Sequence, residues 1–219
     1  MVDFRTRHDR AFDLVNAGLL GLVLLATLYP MYFVLIASIS DPTLVTAGHV
    51  ILVPRGLNVE GYKYIFQDPR IMEGYRNSVI YAAGQTIVSL LLTIPAAYAL
   101  SRREMIGRGP IMFYFVFTMY FTGGIIPFYV LVRRLGLIDT AWSLILPNAV
   151  NVFNLIVART FFASNVPEEL LESAQLDGCT NTRFFLAIAL PLSQAIVAIV
   201  VLFNVLQNWN AFFHAMLFI

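Results

Sequence analysis

Long apolar runs separated by polar segments dominate this chain. Five of them contain no Asp, Glu, Lys or Arg: Leu14–Ile39, Asn77–Leu100, Pro110–Val132, Ala141–Ala158 and Leu192–Phe218. About 20 mostly apolar residues in a helix cross the hydrocarbon core of a bilayer. Only helices and closed barrels satisfy their backbone groups in lipid, and runs this long exclude barrel strands. The pattern therefore predicts an all-α fold, a polytopic transmembrane helical bundle with five spans. Pro30, Pro95, Pro127 and Pro147 lie inside or beside these runs and predict kinks or helix ends. Gly123 and Gly124 permit close helix approach or a local break.

The connections differ in character. Residues 1–13 form a tail with Arg5, Arg7, His8 and Arg10, ahead of a membrane domain over residues 14–219. Ser40–Arg76 is long and broken by glycines and prolines, and Val59–Phe66 within it suits a short helix with Tyr62, Tyr64 and Phe66 at the interface. Ser101–Gly109 is short and basic, with Arg102, Arg103 and Arg108. The segment at about 159–191 is a polar island with Glu168, Glu169, Glu172 and Asp177. Pro167 suits the first turn of a helix there, and Ser164 or Asn165 can cap it. Glu168 and Glu169 then sit near the positive end of its dipole. Gly178 fits the left-handed residue after its last turn, and Thr180 can cap a second short helix. The expected form is helix, tight turn, helix at a membrane surface.

Composition supports the membrane assignment. The chain is 59% hydrophobic and 12% charged, against about 45–50% and about 25% in soluble domains. A net charge of +1 implies no nucleic-acid partner. The single cysteine, Cys179, rules out an intrachain disulfide. The first run is too long for a signal-peptide core and is read as a retained span.

Amides recur within the apolar runs. Asn148, Asn151 and Asn154 are three apart, Asn204 and Asn208 four apart, and Tyr81, Gln85 and Ser89 four apart. Such spacings place each set broadly on one helix face. Unpaired polar groups are costly in lipid, so these faces point into the bundle or a cavity. They serve either interhelical hydrogen bonding or a pathway for a hydroxyl-rich solute, since amides both donate and accept. His49 and His214 have no ligand cluster around them, so no metal site is expected.

The string from Val166 to Leu192 resembles the E-A-A…D-G…L-P-L loop of permease subunits in ATP-binding-cassette importers. Glu172, Ala174, Asp177, Gly178, Leu190, Pro191 and Leu192 match it, while Ser173, Cys179 and Ala195 depart from the usual residues. The stretch Phe121–Thr140, with Trp209–Phe213, resembles the carbohydrate-uptake branch, especially its lipoprotein/aldouronate oligosaccharide subgroup. The resemblance covers nearly the whole chain. It implies a type I importer fold and a loop that docks on an ATPase through Glu168, Glu169, Glu172, Ala174, Asp177 and Gly178. It implies as partners a second homologous permease, an ATPase dimer, an extracytoplasmic solute-binding protein, a sugar or oligosaccharide, and the bilayer. The usual six spans of that branch lead to the expectation that a final helix is missing here.

The chain has no G-x-x-x-x-G-K-[ST] loop, so the partner ATPase is expected to bind ATP and this chain no cofactor. The positive-inside rule only weakly favours a cytoplasmic N-terminus, because Arg133 and Arg134 then fall outside. A loop that meets a cytoplasmic ATPase implies the same orientation, in a multi-pass plasma-membrane protein. Possible translocation-path residues are Asn148, Asn151, Asn154, Asn204, Asn208, Tyr81 and Gln85. The rival is a secondary transporter or channel, whose spans commonly carry charged residues. A membrane-embedded enzyme would need a convergent catalytic set, and no catalytic residue is expected. An anchor alone leaves the acidic island unexplained.

Overall fold

The computed structural model describes residues 7–219, with side-chain environments from residue 11. Arg5 and the side chains of Arg7, His8 and Arg10 fall outside the described residues, as does most of the expected tail. All regular structure among the described residues is helical. The chain divides into two compact units, Met1–Met72 and Glu73–Ile219.

The first unit holds α1 (Arg7–Ser38), α2 (Pro42–Thr46) and α3 (Glu60–Gln67). The apolar part of α1, Ala11–Ser38, has 28 residues, roughly 42 Å at 1.5 Å per residue and enough to span a bilayer. It continues through Pro30. Side chains tie its C-terminal half to the following loop. Tyr29 donates to the Ile51 carbonyl, Tyr32 to the Leu52 carbonyl, and Tyr62 to Ser38 Oγ. Asp41 caps α2, accepting from the Thr43 amide at 2.8 Å. The Thr43 hydroxyl and amide hold the Asp41 carboxyl below the usual carboxylate range. The expected short helix forms as α3, with Asn58 Oδ1 accepting from the Glu60 amide at 2.7 Å.

Helix α4 (Pro69–Ser101) has its first turn in the first unit and the rest in the second, and is a continuous helix of 33 residues running through Pro95. Its start is capped by Asp68, which accepts from the Arg70 amide at 2.9 Å. The third apolar run does not form one helix. It breaks into α5 (Arg108–Tyr120) and α6 (Ile125–Arg134), bent by 115°. Gly124 makes the break, with φ 80° and ψ 178°, a region open essentially to glycine alone. Pro127 lies in the first turn of α6, where its missing N–H costs no helical bond.

The fourth run is also interrupted. It forms α7 (Trp142–Ile145), a turn containing Pro147, and α8 (Val152–Asn165). Helix α8 continues past Arg159, so the expected loop at 159–191 begins as helix and turns only at Val166. Then come α9 (Glu168–Leu176), α10 (Asn181–Phe184), a π-helical segment (Phe185–Ala189) and α11 (Leu190–Leu192). Pro191 follows the π segment, and the chain bends by 77° before α12 (Gln194–Trp209). A proline has no N–H to give the preceding turn, and π bulges and kinks absorb that loss. The fifth run divides again, between α12 and α13 (Phe212–Phe218).

One apolar core joins these pieces. It contains Ile94, Ala97, Tyr98 and Leu100 of α4, Leu155, Ala158 and Phe162 of α8, Leu171 of α9, Phe184, and Ile196 and Val200 of α12. A smaller core unites Val132, Leu144 and Phe218.

Replacing Gly124 with Val forces a β-branched residue into the glycine-only region. Such strain costs about 1–3 kcal/mol. The expected result is a lower thermal unfolding midpoint of the purified permease assembly, while Gly123→Ala, with no positive φ at that position, leaves it nearly unchanged.

Candidate functional site

Two polar constellations stand out in the second unit. The first is the acidic turn. Helix α9 ends in a hydrogen-bonded cap: the Gly178 amide donates to the Gln175 carbonyl at 2.9 Å, and the Cys179 amide donates to the Ala174 carbonyl at 2.9 Å. This pair of bonds is the Schellman motif, which needs a left-handed residue after the helix. Gly178 supplies it with φ 78°. Thr180 Oγ1 accepts from the Arg183 amide at 3.4 Å and caps α10. Gln175 Nε2 donates to Asn181 Oδ1 at 2.9 Å, bridging the two helices. The turn is therefore closed by its own hydrogen bonds.

One side of the turn faces inward. Leu171 is buried, and Ala174 is half-buried and packs on the core. Glu169, Glu172, Asp177 and Gly178 are exposed. Leu176 stands 90% exposed between them, an apolar knob that residue counting passed over. Glu168 behaves differently from the other acids. It lies 3.8 Å from Arg103 Nε and accepts from the Arg103 amide at 3.3 Å. The expected caps Ser164 and Asn165 bond back to α8 carbonyls instead, and Pro167 takes the N-cap position without a side-chain bond.

Arg102 fixes the base of the turn, and the sequence reading gave it only a charge. It is 9% exposed. Its Nη2 donates to the carbonyls of Phe162 at 3.0 Å and Val166 at 3.1 Å, where α8 ends. Its guanidinium lies 5.0 Å from the centre of the Tyr98 ring, a cation–π distance. Arg159 reaches the other way and donates to the Leu100 carbonyl at 3.0 Å. The ends of α4 and α8 are thus stapled to each other through backbone carbonyls. The only sequence signal for this was an arginine placed directly after an apolar run.

The second constellation is built from amides. Gln85, on α4, is 1% exposed. It donates to the Asn148 carbonyl at 2.7 Å and accepts from Asn208 Nδ2 at 2.6 Å. Asn204 is fully buried and donates to the Val200 carbonyl at 2.9 Å. The expected single face of Asn148, Asn151 and Asn154 does not form, because the helix starts too late. Asn148 lies in the turn before α8. Asn151 is the N-cap and accepts from the Asn154 amide at 3.1 Å. It also lies 3.4 Å from Gln207 Oε1. Asn154 is buried within α8.

Beside this network is a cavity of about 220 Å³. Tyr81, Asn148, Asn208, Trp209 and His214 line it. Gln85 and Asn204 do not line it but hydrogen-bond to Asn148 and Asn208, which do, while Asn151 and Asn154 lie outside its lining. No group of His, Cys, Asp and Glu suited to a metal ion occurs among the described residues.

No family model matches the chain. Individual proteins do. It is 41% identical over 211 residues to the polygalacturonan/rhamnogalacturonan transport system permease protein YtcP of Bacillus subtilis (strain 168), covering 96% of this chain and 73% of that one. It is 38% identical over 223 residues to Protein LplC of the same organism, covering 100% and 75%. Among solved structures, a chain of a bacterial ABC transporter involved in the import of the acidic polysaccharide alginate superposes with a TM-score of 0.95 at 34% identity, covering 100% of this chain and 78% of that one. The fold and the resemblance read from the acidic turn thus agree with independent relatives. The chain belongs to the permease subunits of carbohydrate-uptake ABC importers, membrane transport proteins rather than enzymes.

Proposed function

We propose that this chain forms half of the pathway for a sugar or oligosaccharide and couples to a separate ATPase through the α9–α10 turn. The observation that carries the coupling is the self-closed turn with exposed Glu169, Glu172, Leu176 and Asp177. A docking element must transmit displacement without deforming, and a turn closed by its own bonds does so. Its other face packs into the core shared by α4, α8 and α12, so movement of the turn is passed to the helices around the cavity. The partners are a second permease, an ATPase dimer that binds the ATP, and an extracytoplasmic solute-binding protein. The five apolar segments enter the plasma membrane with the N-terminus and the α9–α10 turn in the cytoplasm.

The cavity chemistry suits a carbohydrate. Amides and a tyrosine exchange hydrogen bonds with hydroxyl groups, and Trp209 offers an aromatic face. Its lining carries no carboxylate, so an anionic sugar meets no like charge there. That fits the relatives named for alginate and polygalacturonan/rhamnogalacturonan transport.

Gly178→Val penalises the left-handed turn by about 1–2 kcal/mol, and Glu172→Lys reverses charge on the docking face. Both are expected to abolish ATP-driven uptake while the permease still inserts. Normal uptake and transport-linked ATP hydrolysis in both variants would reject the docking role.

Orientation is read by impermeant thiol labelling of intact cells in a Cys179→Ser background. Asn58→Cys is expected to label and Met105→Cys is not. The reverse pattern inverts the topology.

The two amide groups separate by their readouts. Asn148→Ala and Asn208→Ala, at the cavity wall, should lower uptake or change sugar preference at near-normal abundance: the Gln85 bond to Asn148 uses its backbone carbonyl and survives, and the one interhelical bond lost with Asn208 contributes only about 0.6 kcal/mol. Gln85→Ala and Asn204→Ala remove buried support and should lower abundance as well. If the wall variants transport normally, or simply vanish from the membrane, the cavity is packing and not pathway.

A further inference from the structure

A pocket of about 370 Å³ lies where the apolar part of α4 ends, away from the amide cavity and bordering the docking face at Glu169. Arg102, Arg103, Arg108 and Arg159 line it, with Glu168 and Glu169. Four guanidinium groups thus face two carboxylates. Arg103 already engages Glu168, and Arg108 Nη1 sits 3.5 Å from the Arg102 carbonyl. The surplus charge is held in place by the scaffold.

Arg102 carries the argument. It is more than nine-tenths buried, and three of its contacts are satisfied: Nε to Ser101 Oγ at 3.0 Å, and Nη2 to the two α8 carbonyls. Its Nη1 is buried with no hydrogen-bond partner among the described residues. A charged donor left unsatisfied out of water is among the costlier features a fold can hold. The nine-residue helix α9 also begins at this pocket without a side-chain cap, which leaves first-turn N–H groups and a positive dipole end near it. Rigid guanidinium forks match the oxygens of phosphate better than a point charge does. Arg102 follows the apolar run Asn77–Leu100 within two residues, which is headgroup depth, and basic pockets between transmembrane helices bind lipid headgroups.

We propose that this pocket binds a phosphate group, supplied by the headgroup of an anionic phospholipid or by free phosphate. The lipid source rests on the docking reading, because that reading puts the pocket at the cytoplasmic surface. The site would then set the resting position of the turn through Arg102, which holds the end of α8.

The test uses the assembled transporter in two settings. In phosphatidylcholine nanodiscs it is exposed to a photoactivatable phosphatidylglycerol, and cross-linked peptides are mapped by mass spectrometry. In detergent it is exposed to radiolabelled inorganic phosphate. The comparison variant is Arg103→Gln with Arg108→Gln, both at positions outside the core. The expected result is labelling of peptides containing residues 101–110 or 163–169, reduced about thirtyfold in the variant while labelling elsewhere is unchanged. Variant-sensitive lipid labelling identifies a headgroup, and variant-sensitive phosphate binding alone identifies free phosphate. If neither probe binds in a variant-sensitive way, the proposal is overturned. It is also overturned if binding appears only after the ATPase subunits are stripped off, since the ATPase then covers the pocket in the assembled transporter. Gly178→Val, run in parallel, should lose uptake and keep probe binding, so failure of docking and failure of this site give different results.

Discussion

Every backbone group withdrawn from water in this fold must find a partner inside the protein, and the chain interrupts its helices repeatedly. Breaks fall at Phe121–Gly124, at 146–151, at Ser193 and at Asn210. In lipid each unsatisfied group costs several kcal/mol. Polar side chains answer at several of these points. Gln85 donates to the Asn148 carbonyl in the turn before α8, Asn151 accepts from the Asn154 amide at the start of α8, and Asn210 donates to the Leu206 carbonyl at the end of α12. Arg102 donates to two carbonyls at the end of α8. The polar residues embedded in the apolar runs are therefore first of all the means by which a broken helix survives.

This constraint also bears on how the two proposed functional regions are connected. Helix α8 starts at Asn151, which bonds to Gln207 of α12, and ends under Arg102, next to the acidic turn. Between them Leu155, Ala158 and Phe162 are fully buried against α4 and α12. Close-packed interiors transmit displacement rather than absorb it. Under the proposed function, a shift of the turn would move the end of α8 and, through the shared core, the helices around the cavity. The bend between α11 and α12, made by the π segment and Pro191, lies on the same path. It sets the direction in which α12, which carries Asn204 and Asn208, leaves the turn.

The local chemistry of the acidic turn was legible in the sequence because each part is set by neighbouring residues. Gly178 permits one backbone conformation, and Thr180 caps the next helix. The all-helical class was equally readable, since apolar length alone decides it. The interruptions were less so. Apolar runs encode membrane residence but not continuity, so the third, fourth and fifth runs read as single spans although each contains a break. The glycine pair and Pro147 marked two of these places without fixing their geometry. The supposed common face of Asn148, Asn151 and Asn154 failed for the same reason: a three-residue spacing has a face only where a helix already exists. Arg102 was invisible in its role because its partners, the Phe162 and Val166 carbonyls, lie about sixty residues away and carry no side-chain signal.

The division of the amides into wall and support follows from burial more than from residue type. Asn204 and Asn208 are one turn apart on α12, yet one is fully buried and the other borders the cavity. Asn208 holds both roles at once, because its Nδ2 donates to Gln85 and to the Asn204 carbonyl while it borders the open volume. The two hydrogens of that amide serve one acceptor each, so neither bond is spare, and breaking the bond to Gln85 takes the donor from a buried oxygen. A hydroxyl can replace the bond one for one, because it accepts from Asn208 Nδ2 while donating to Gln85 Oε1. A wall residue suited to transient contact is therefore one whose bond a solute can bridge from the open volume, and that is a property of the assembled network that no single residue in the sequence displays.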